Sequence, residues 1–178
     1  MTLTEAIVVR MSHDLAGAVG AVANTLDLIK MDASFMGDSI ELLETSSQQL
    51  TARLNFFRAL FGAETKSINK ALVDRYLATL AIKVDFKGNP SSRNHLALIA
   101  VGLELLGVEG SLNLVQNKLT IQGNNLHHDP MYFQALMGTA VPCEPKLVMA
   151  LWLHEVARQS NLSVQIDADE EKITLSIA

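Results

Sequence analysis

Two stretches in the first third of the chain carry apolar residues at alternating steps of three and four, a spacing that commits them to long amphipathic helices. In the first, Leu3, Ile7, Met11, Leu15, Ala18, Val22, Leu26 and Ile29 form one seam, preceded by Thr2 and Glu5 at capping-box spacing. The stretch from Asp32 to Gly37 interrupts it. The rhythm resumes at Ile40, Leu43, Ser47, Leu50, Leu54, Phe57 and Phe61, until Gly62 supplies a C-terminal cap. So short a connection makes the two helices antiparallel. One hairpin cannot bury both seams within itself, whereas two hairpins side by side make a four-helix bundle. A homodimer is therefore expected. With 49% hydrophobic and only 19% charged residues, the 178-residue chain has apolar surface to spare for that contact.

From about Thr65 the pattern changes to short alternating elements. A helix is expected over Ser67 to Leu80, a strand at Ile82, Val84 and Phe86, and a helix opened by Asn89-Pro90 and stopped by Gly107. Strands at Leu112 to Val115 and Leu119 to Ile121 turn near Asn117-Lys118. Asp129-Pro130 starts a short helix, Glu144 to Gln159 makes a longer one, and Ser163 to Ile166 with Lys172 to Ile177 closes the chain as a hairpin. The order after the first of these helices is βαββααββ. The chain is thus expected to be α+β, with a helical hairpin over residues 1–63 and an α/β layer domain over residues 64–178.

Several function classes fall away. Uncharged apolar runs such as Leu96 to Leu103 and Leu147 to Leu153 are far short of the ~20 residues of a bilayer span. Met1 to Arg10 lacks the basic stretch and apolar core of a signal peptide. No membrane insertion and a cytoplasmic location are expected. The lone Cys143 rules out an internal disulfide or a thiolate zinc site. A net charge of −5 without a basic stripe argues against direct nucleic-acid binding.

His13 is the residue with chemical promise. At ~100° per residue it lies about 200° from a seam centred on Met11, Ala18 and Ile29, and so points outward. A neutral imidazole offers a ring nitrogen as nucleophile. Asp14 is next to it, and Arg10, one turn earlier, could pair with a phosphoryl group on the ring. Around it stand Ala16, Gly17, Gly20 and Ala23, although each glycine costs a helix roughly 1 kcal/mol relative to alanine. Either something approaches closely there, or the histidine is solvated and the glycines serve helix packing.

Arg10-Met11-Ser12-His13-Asp14-Leu15, followed by Val19-Gly20-Ala21 and Leu26-Asp27-Leu28, resembles the histidine-bearing helix of the alphaproteobacterial histidine phosphotransferases of the ChpT type. The end of the second helix is similar to that family's F-x-R-x-x-F-G-A stretch at Phe56, Arg58, Phe61, Gly62 and Ala63, and Pro90-Ser91-Ser92-Arg93 resembles the opening of its first α/β-domain helix. The match is motif-specific over roughly residues 10 to 93 and rests on element order beyond. The resemblance implies a dimeric phosphorelay shuttle that takes a phosphoryl group from the receiver aspartate of a hybrid histidine kinase and passes it to response regulators. His13 would be the acceptor beside Asp14; transfer then demands close approach of two backbones, and Ala16, Gly17 and Gly20, the patch beside His13 free of bulky groups, are where a receiver helix is expected to dock. Two departures stand out. Ala18 replaces a frequent proline, and Gly17 replaces a hydroxyl or amide residue, which puts phosphatase activity through that position in doubt.

If the hairpin turns between residues 34 and 35, paired positions sum to about 69, and His13 lies level with Asn55 to Arg58. Arg58 would then neutralise the phosphohistidine or anchor the α/β domain. That domain resembles the ATP-binding layer of histidine kinases in element order, yet none of Asp85, Asp129, Asp167 and Asp169 has a glycine two residues on, and no Walker-type loop is present. Glu109 and Asn113 flank Gly110 on a turn rather than on a helix. A degenerate docking domain, with no cofactor, is expected in place of a kinase. A dimeric docking protein with an idle histidine and a true ATP-dependent kinase core are the competing readings. No metal site is expected. His127-His128-Asp129 fits a polar loop with Asp129 capping the next helix, His154 fits packing against the sheet, and His95 fits a surface or capping role.

Overall fold

The computed structural model describes residues 1–31, 36–62, 68–139 and 141–178, together with the backbone but not the side chain of Asp38. The hairpin is α1 (Leu3–Met31) and α2 (Met36–Phe61). Its start is the expected capping box: the Thr2 N–H donates to Glu5 Oε2 at 2.7 Å, and the Glu5 N–H donates to Thr2 Oγ1 at 3.2 Å. Those bonds lower the Glu5 pKa. The interruption over residues 32–35, the Ala63 of the resemblance, the 63/64 boundary and the expected helix start at Ser67 lie outside the described residues.

Before Phe56, the buried side chains among the described residues of the hairpin are small. Ala6, Ala18, Thr25, Ser39 and Ser46 are buried, whereas Val8, Val9, Val19, Leu26, Leu28, Ile40, Leu42 and Leu54 are exposed. Thr25 satisfies its hydroxyl by donating to the Ala21 carbonyl at 2.8 Å. Apart from Phe57, the large side chains expected in the seams are therefore only partly covered within one chain. The register is close to expectation: Arg53 Nη1 donates to the Asp14 carbonyl at 2.7 Å, a pair summing to 67. Although α1 contains no long uncharged run, its best 18-residue window has a mean hydropathy of 1.3, so by length and composition it is apolar enough to cross a membrane. The run-based expectation overlooked this because Arg10 and Asp14 break the runs without outweighing the window.

After the hairpin come α3 (Lys70–Leu77), β1 (Lys83–Lys87), α4 (Arg93–Leu106), β2 (Glu109–Val115), β3 (Lys118–Gln122), α5 (Pro130–Leu136), α6 (Val148–Gln159), β4 (Val164–Ala168) and β5 (Lys172–Ile177). The βαββααββ order holds. The sheet runs β1-β2-β3-β5-β4, with β1 and β2 parallel and every other neighbouring pair antiparallel. One face carries the buried Phe86, Leu112, Leu114, Leu119, Ile121, Ile173, Leu175 and Ile177 beneath α4 and α6, and the other is largely polar. Gly102 lets α4 lie close on this sheet, because a Cβ there would stand 2.6 Å from Leu119 Cδ2. Gly107 ends α4 at φ +76°.

Element boundaries shift from expectation by a few residues, as at the end of α3, which stops at Leu77 and not Leu80, and three of the shifts have a visible cause. The first turn of α4 is capped by Ser92, whose hydroxyl accepts from the His95 N–H, so the helix begins at Arg93 and not at Asn89-Pro90. Pairing of Glu109 with Lys83 extends β2 ahead of Leu112. A 3-10 turn at Pro145–Leu147 takes up the start of the expected last helix.

The C-terminal end of α2 is embedded in the α/β domain. Phe56, Phe57 and Leu60 are fully buried, and the Phe56 ring stacks on Tyr76 at 3.9 Å between centroids. Trp152 Nε1 donates to the Leu60 carbonyl at 3.2 Å, and Arg93 donates to the Gly62 carbonyl. One hydrophobic core runs from Phe56 to Ile177 through both parts of the chain.

Candidate functional site

His13 projects from α1 with 86% of its side chain exposed. Its Nδ1 stands 3.4 Å from Asp14 Oδ1, at the long end of hydrogen bonding. A carboxylate only accepts, so as a hydrogen bond this contact takes the Nδ1–H tautomer, in which the Nε2 lone pair is free.

The second Asp14 oxygen is also engaged. Arg10 Nε donates to Asp14 Oδ2 at 2.9 Å, an i, i+4 contact on α1. The same guanidinium crosses to the α/β domain, where its Nη2 lies 3.0 Å from Glu104 Oε1 on α4. That approach makes an ion pair but is off hydrogen-bond alignment, so Oε1 accepts no hydrogen bond. Tyr132 on α5 donates its hydroxyl to Glu104 Oε2 at 2.6 Å. Burial raises the Glu104 pKa to about 7, with Arg10 and Tyr132 pulling against the rise. Burial and the adjacent Glu104 push Tyr132 well above its ordinary value. Burial lowers the Arg10 pKa, but Glu104 and Asp14 outweigh it and the net shift is upward.

The residues singled out from the sequence are distributed as follows. His13, Asp14 and Arg10 come together in one cluster, but Arg10 is already held by two carboxylates. The guanidinium that reaches α1 from α2 is that of Arg53, which also donates to the hydroxyl and carbonyl of Thr79 at 3.2 and 2.7 Å. Arg58 is exposed, and five residues of helix turn it about 140° from Arg53. Ala16 and Gly17 are exposed, and a Cβ added at Gly17 or Gly20 would meet no atom within 4 Å. The surface after His13 is open, and neither glycine is needed to pack the hairpin within one chain.

Sequence reasoning missed Arg53, Glu104 and Tyr132. One signal existed for Glu104, the single acidic residue of α4, which interrupts the apolar stretch that follows His95. The remaining histidines have local tasks. His95 Nδ1 accepts from the Ser91 N–H at 3.1 Å, and its Nε2 faces Asn117 Oδ1 at 3.1 Å. Asp129 caps α5 as expected, accepting from the Met131 N–H at 2.9 Å. His154 lies against the turn after α5, since a Cβ on Gly138 would fall 2.2 Å from His154 Cε1. Among the described residues, no group of three or more His, Cys, Asp or Glu could hold a metal ion.

The arrangement offers a nucleophilic ring nitrogen at the surface, a carboxylate to take up positive charge on the ring, and open backbone beside it. A scan against protein-family models finds no match, and a search of curated proteins finds none. Among solved structures, the chain is similar to a bacterial phosphotransferase determined at 1.7 Å, with 21% identity and a TM-score of 0.76 over 99% of this chain and 95% of that one. The Acinetobacter baumannii histidine kinase AdeS also aligns, at 14% identity over 93% of this chain and 95% of that one, but its TM-score of 0.38 is too low to bear on the fold. From hairpin to closing strand, the chain has the fold of a bacterial phosphotransferase.

Proposed function

We propose that this chain is a His-to-Asp phosphotransfer protein of a phosphorelay, of the ChpT type, with His13 as the phospho-acceptor. The observation that carries the reading is the exposed His13 ring, its Nδ1 against Asp14, on the hairpin of a chain that superposes along its length on a phosphotransferase. The donor is the phosphorylated aspartate of a hybrid kinase's receiver domain. His13 Nε2 attacks phosphorus, the P–N bond forms, the P–O bond of the acyl phosphate breaks, and its electron pair leaves with the aspartate carboxylate. Positive charge appears on the ring 3.4 Å from Asp14 Oδ1. Transfer to a response regulator is the reverse reaction with a new carboxylate. Positioning and charge stabilisation supply most of the catalysis in such a step.

In this reading the receiver docks on Ala16, Gly17 and Gly20, Arg58 faces the incoming phosphate, and no cofactor is used. Two hairpins pair as a four-helix bundle through the exposed apolar residues of α1 and α2, and the protein works in the cytoplasm. The test is incubation with a receiver domain carrying labelled phosphate on its aspartate. Acid-labile label on the wild-type chain and none on His13→Ala is expected. Label that persists on His13→Ala would move the acceptor to His154, no label on either would favour docking without transfer, and label taken directly from ATP would revive the kinase reading.

A further inference from the structure

The ion pairs around His13 do not end on its own helix. Arg10 lies between Asp14 and Glu104, and the side chains of these three residues are 30%, 21% and 17% exposed. The two oxygens of Asp14 have separate tasks: Oδ2 accepts from Arg10 Nε, and Oδ1 faces His13 Nδ1. Arg10 thereby sets the plane of the carboxylate that holds the imidazole. A lone arginine at i−4 is free to swing into solvent, since exposed helix pairs are weak. Here it is pinned from the other domain by Glu104, which Tyr132 holds in turn.

The pin is costly in place. Burying a carboxylate on an apolar helix with one oxygen lacking a hydrogen bond is unfavourable, and a hydrophobic residue of similar size would serve the packing better. A simple anchor between the hairpin and the α/β domain could sit elsewhere along their contact, where α1 meets α6 or α2 meets α4, whereas this one ends on the residue that touches His13. We propose that Glu104 and Tyr132 are positioning residues for phosphoryl transfer: acting through Arg10, they fix the Asp14 carboxylate that keeps the His13 proton on Nδ1 and the lone pair on Nε2. The proposal rests on His13 being the acceptor.

Phosphoramidate tests it without a receiver, because His13 Nε2 displaces ammonia from phosphorus and the result is independent of docking. In the wild-type chain labelling of His13 is expected, with 15N signals of its ring in the Nδ1–H form. Glu104→Gln keeps a partner for the Tyr132 hydroxyl but loses the charge, and should slow labelling on the order of tenfold while moving the ring toward the Nε2–H form. Tyr132→Phe should move both readouts in the same direction. In an Asp14→Asn background, Glu104→Gln should have little further effect, because the chain of contacts is already broken at its last link. Labelling of Glu104→Gln and Tyr132→Phe at or above the wild-type rate would overturn the proposal, as would an undiminished effect of Glu104→Gln in the Asp14→Asn background. A wild-type chain that takes label from neither phosphoramidate nor a phosphorylated receiver would instead remove His13 as acceptor, whatever Glu104 does.

Discussion

Glu104 ties stability to pH in a way that a single substitution isolates. Its carboxyl titrates near 4.5 in the unfolded chain and at about 7 in the folded one, chiefly because of burial. The folded state therefore binds the proton more tightly. Stability from this group is fully present below about pH 4.5 and is lost as pH rises through about 7. At 1.36 kcal/mol for each pH unit separating the two values, the loss is about 3 kcal/mol. Gln at this position resembles the protonated carboxyl at every pH, so Glu104→Gln should match the wild-type chain near pH 5 and exceed its stability near pH 8. Denaturant unfolding of both chains from pH 5 to pH 8, at one fixed protein concentration, measures the difference. Taking that difference cancels the titration of groups that do not interact with Glu104. Parallel profiles, or a variant less stable at pH 8, would refute the reasoning. With the expected transfer defect, the variant would be more stable and less active, the trade-off of a charge kept for its site.

Three further outcomes follow from the same geometry. Gly17→Ala should stabilise the hairpin by about 1 kcal/mol, since its Cβ meets open space, whereas Gly102→Ala should destabilise the domain by pressing on Leu119; thermal unfolding compares them. Replacing the half-buried Leu50 and the exposed Leu54 with aspartate should dissociate or unfold the proposed dimer, which sedimentation at micromolar concentration would detect; a wild-type chain already monomeric there would defeat the dimer reading. Gly20→Trp should fold normally and yet block exchange with a phosphorylated receiver, so unimpaired exchange would move the docking surface elsewhere.

What could be read from the sequence was set by local periodicity. The three-and-four rhythm marked α1 and α2, alternation marked the strands, and residues whose side chains bond their own helix start, such as Thr2, Glu5 and Asp129, were found in their expected roles. The outward His13 and its Asp14 neighbour also followed from helix angles alone. Contacts between distant residues left no such trace. Glu104 stands 94 positions from Arg10 and Tyr132 a further 28, and only the packing of α4 on the hairpin brings them together. Arg53 was hidden by its rotation about α2: a register estimate gives the level of a residue along the hairpin but not the face it occupies. The start of α4 shifted because Asn89, Ser91 and Ser92 all favour helix starts, and only the backbone conformation selects Ser92 among them.

The side chains that grip the end of α2, Trp152 and Arg93, both donate to main-chain carbonyls, those of Leu60 and Gly62. A carbonyl is common to all residue types, so neither acceptor is erased by replacing the residue that bears it. The angle at which the hairpin leaves the α/β domain is in this respect insulated from side-chain change along α2. The two parts of the chain can diverge at their surfaces without losing these joints.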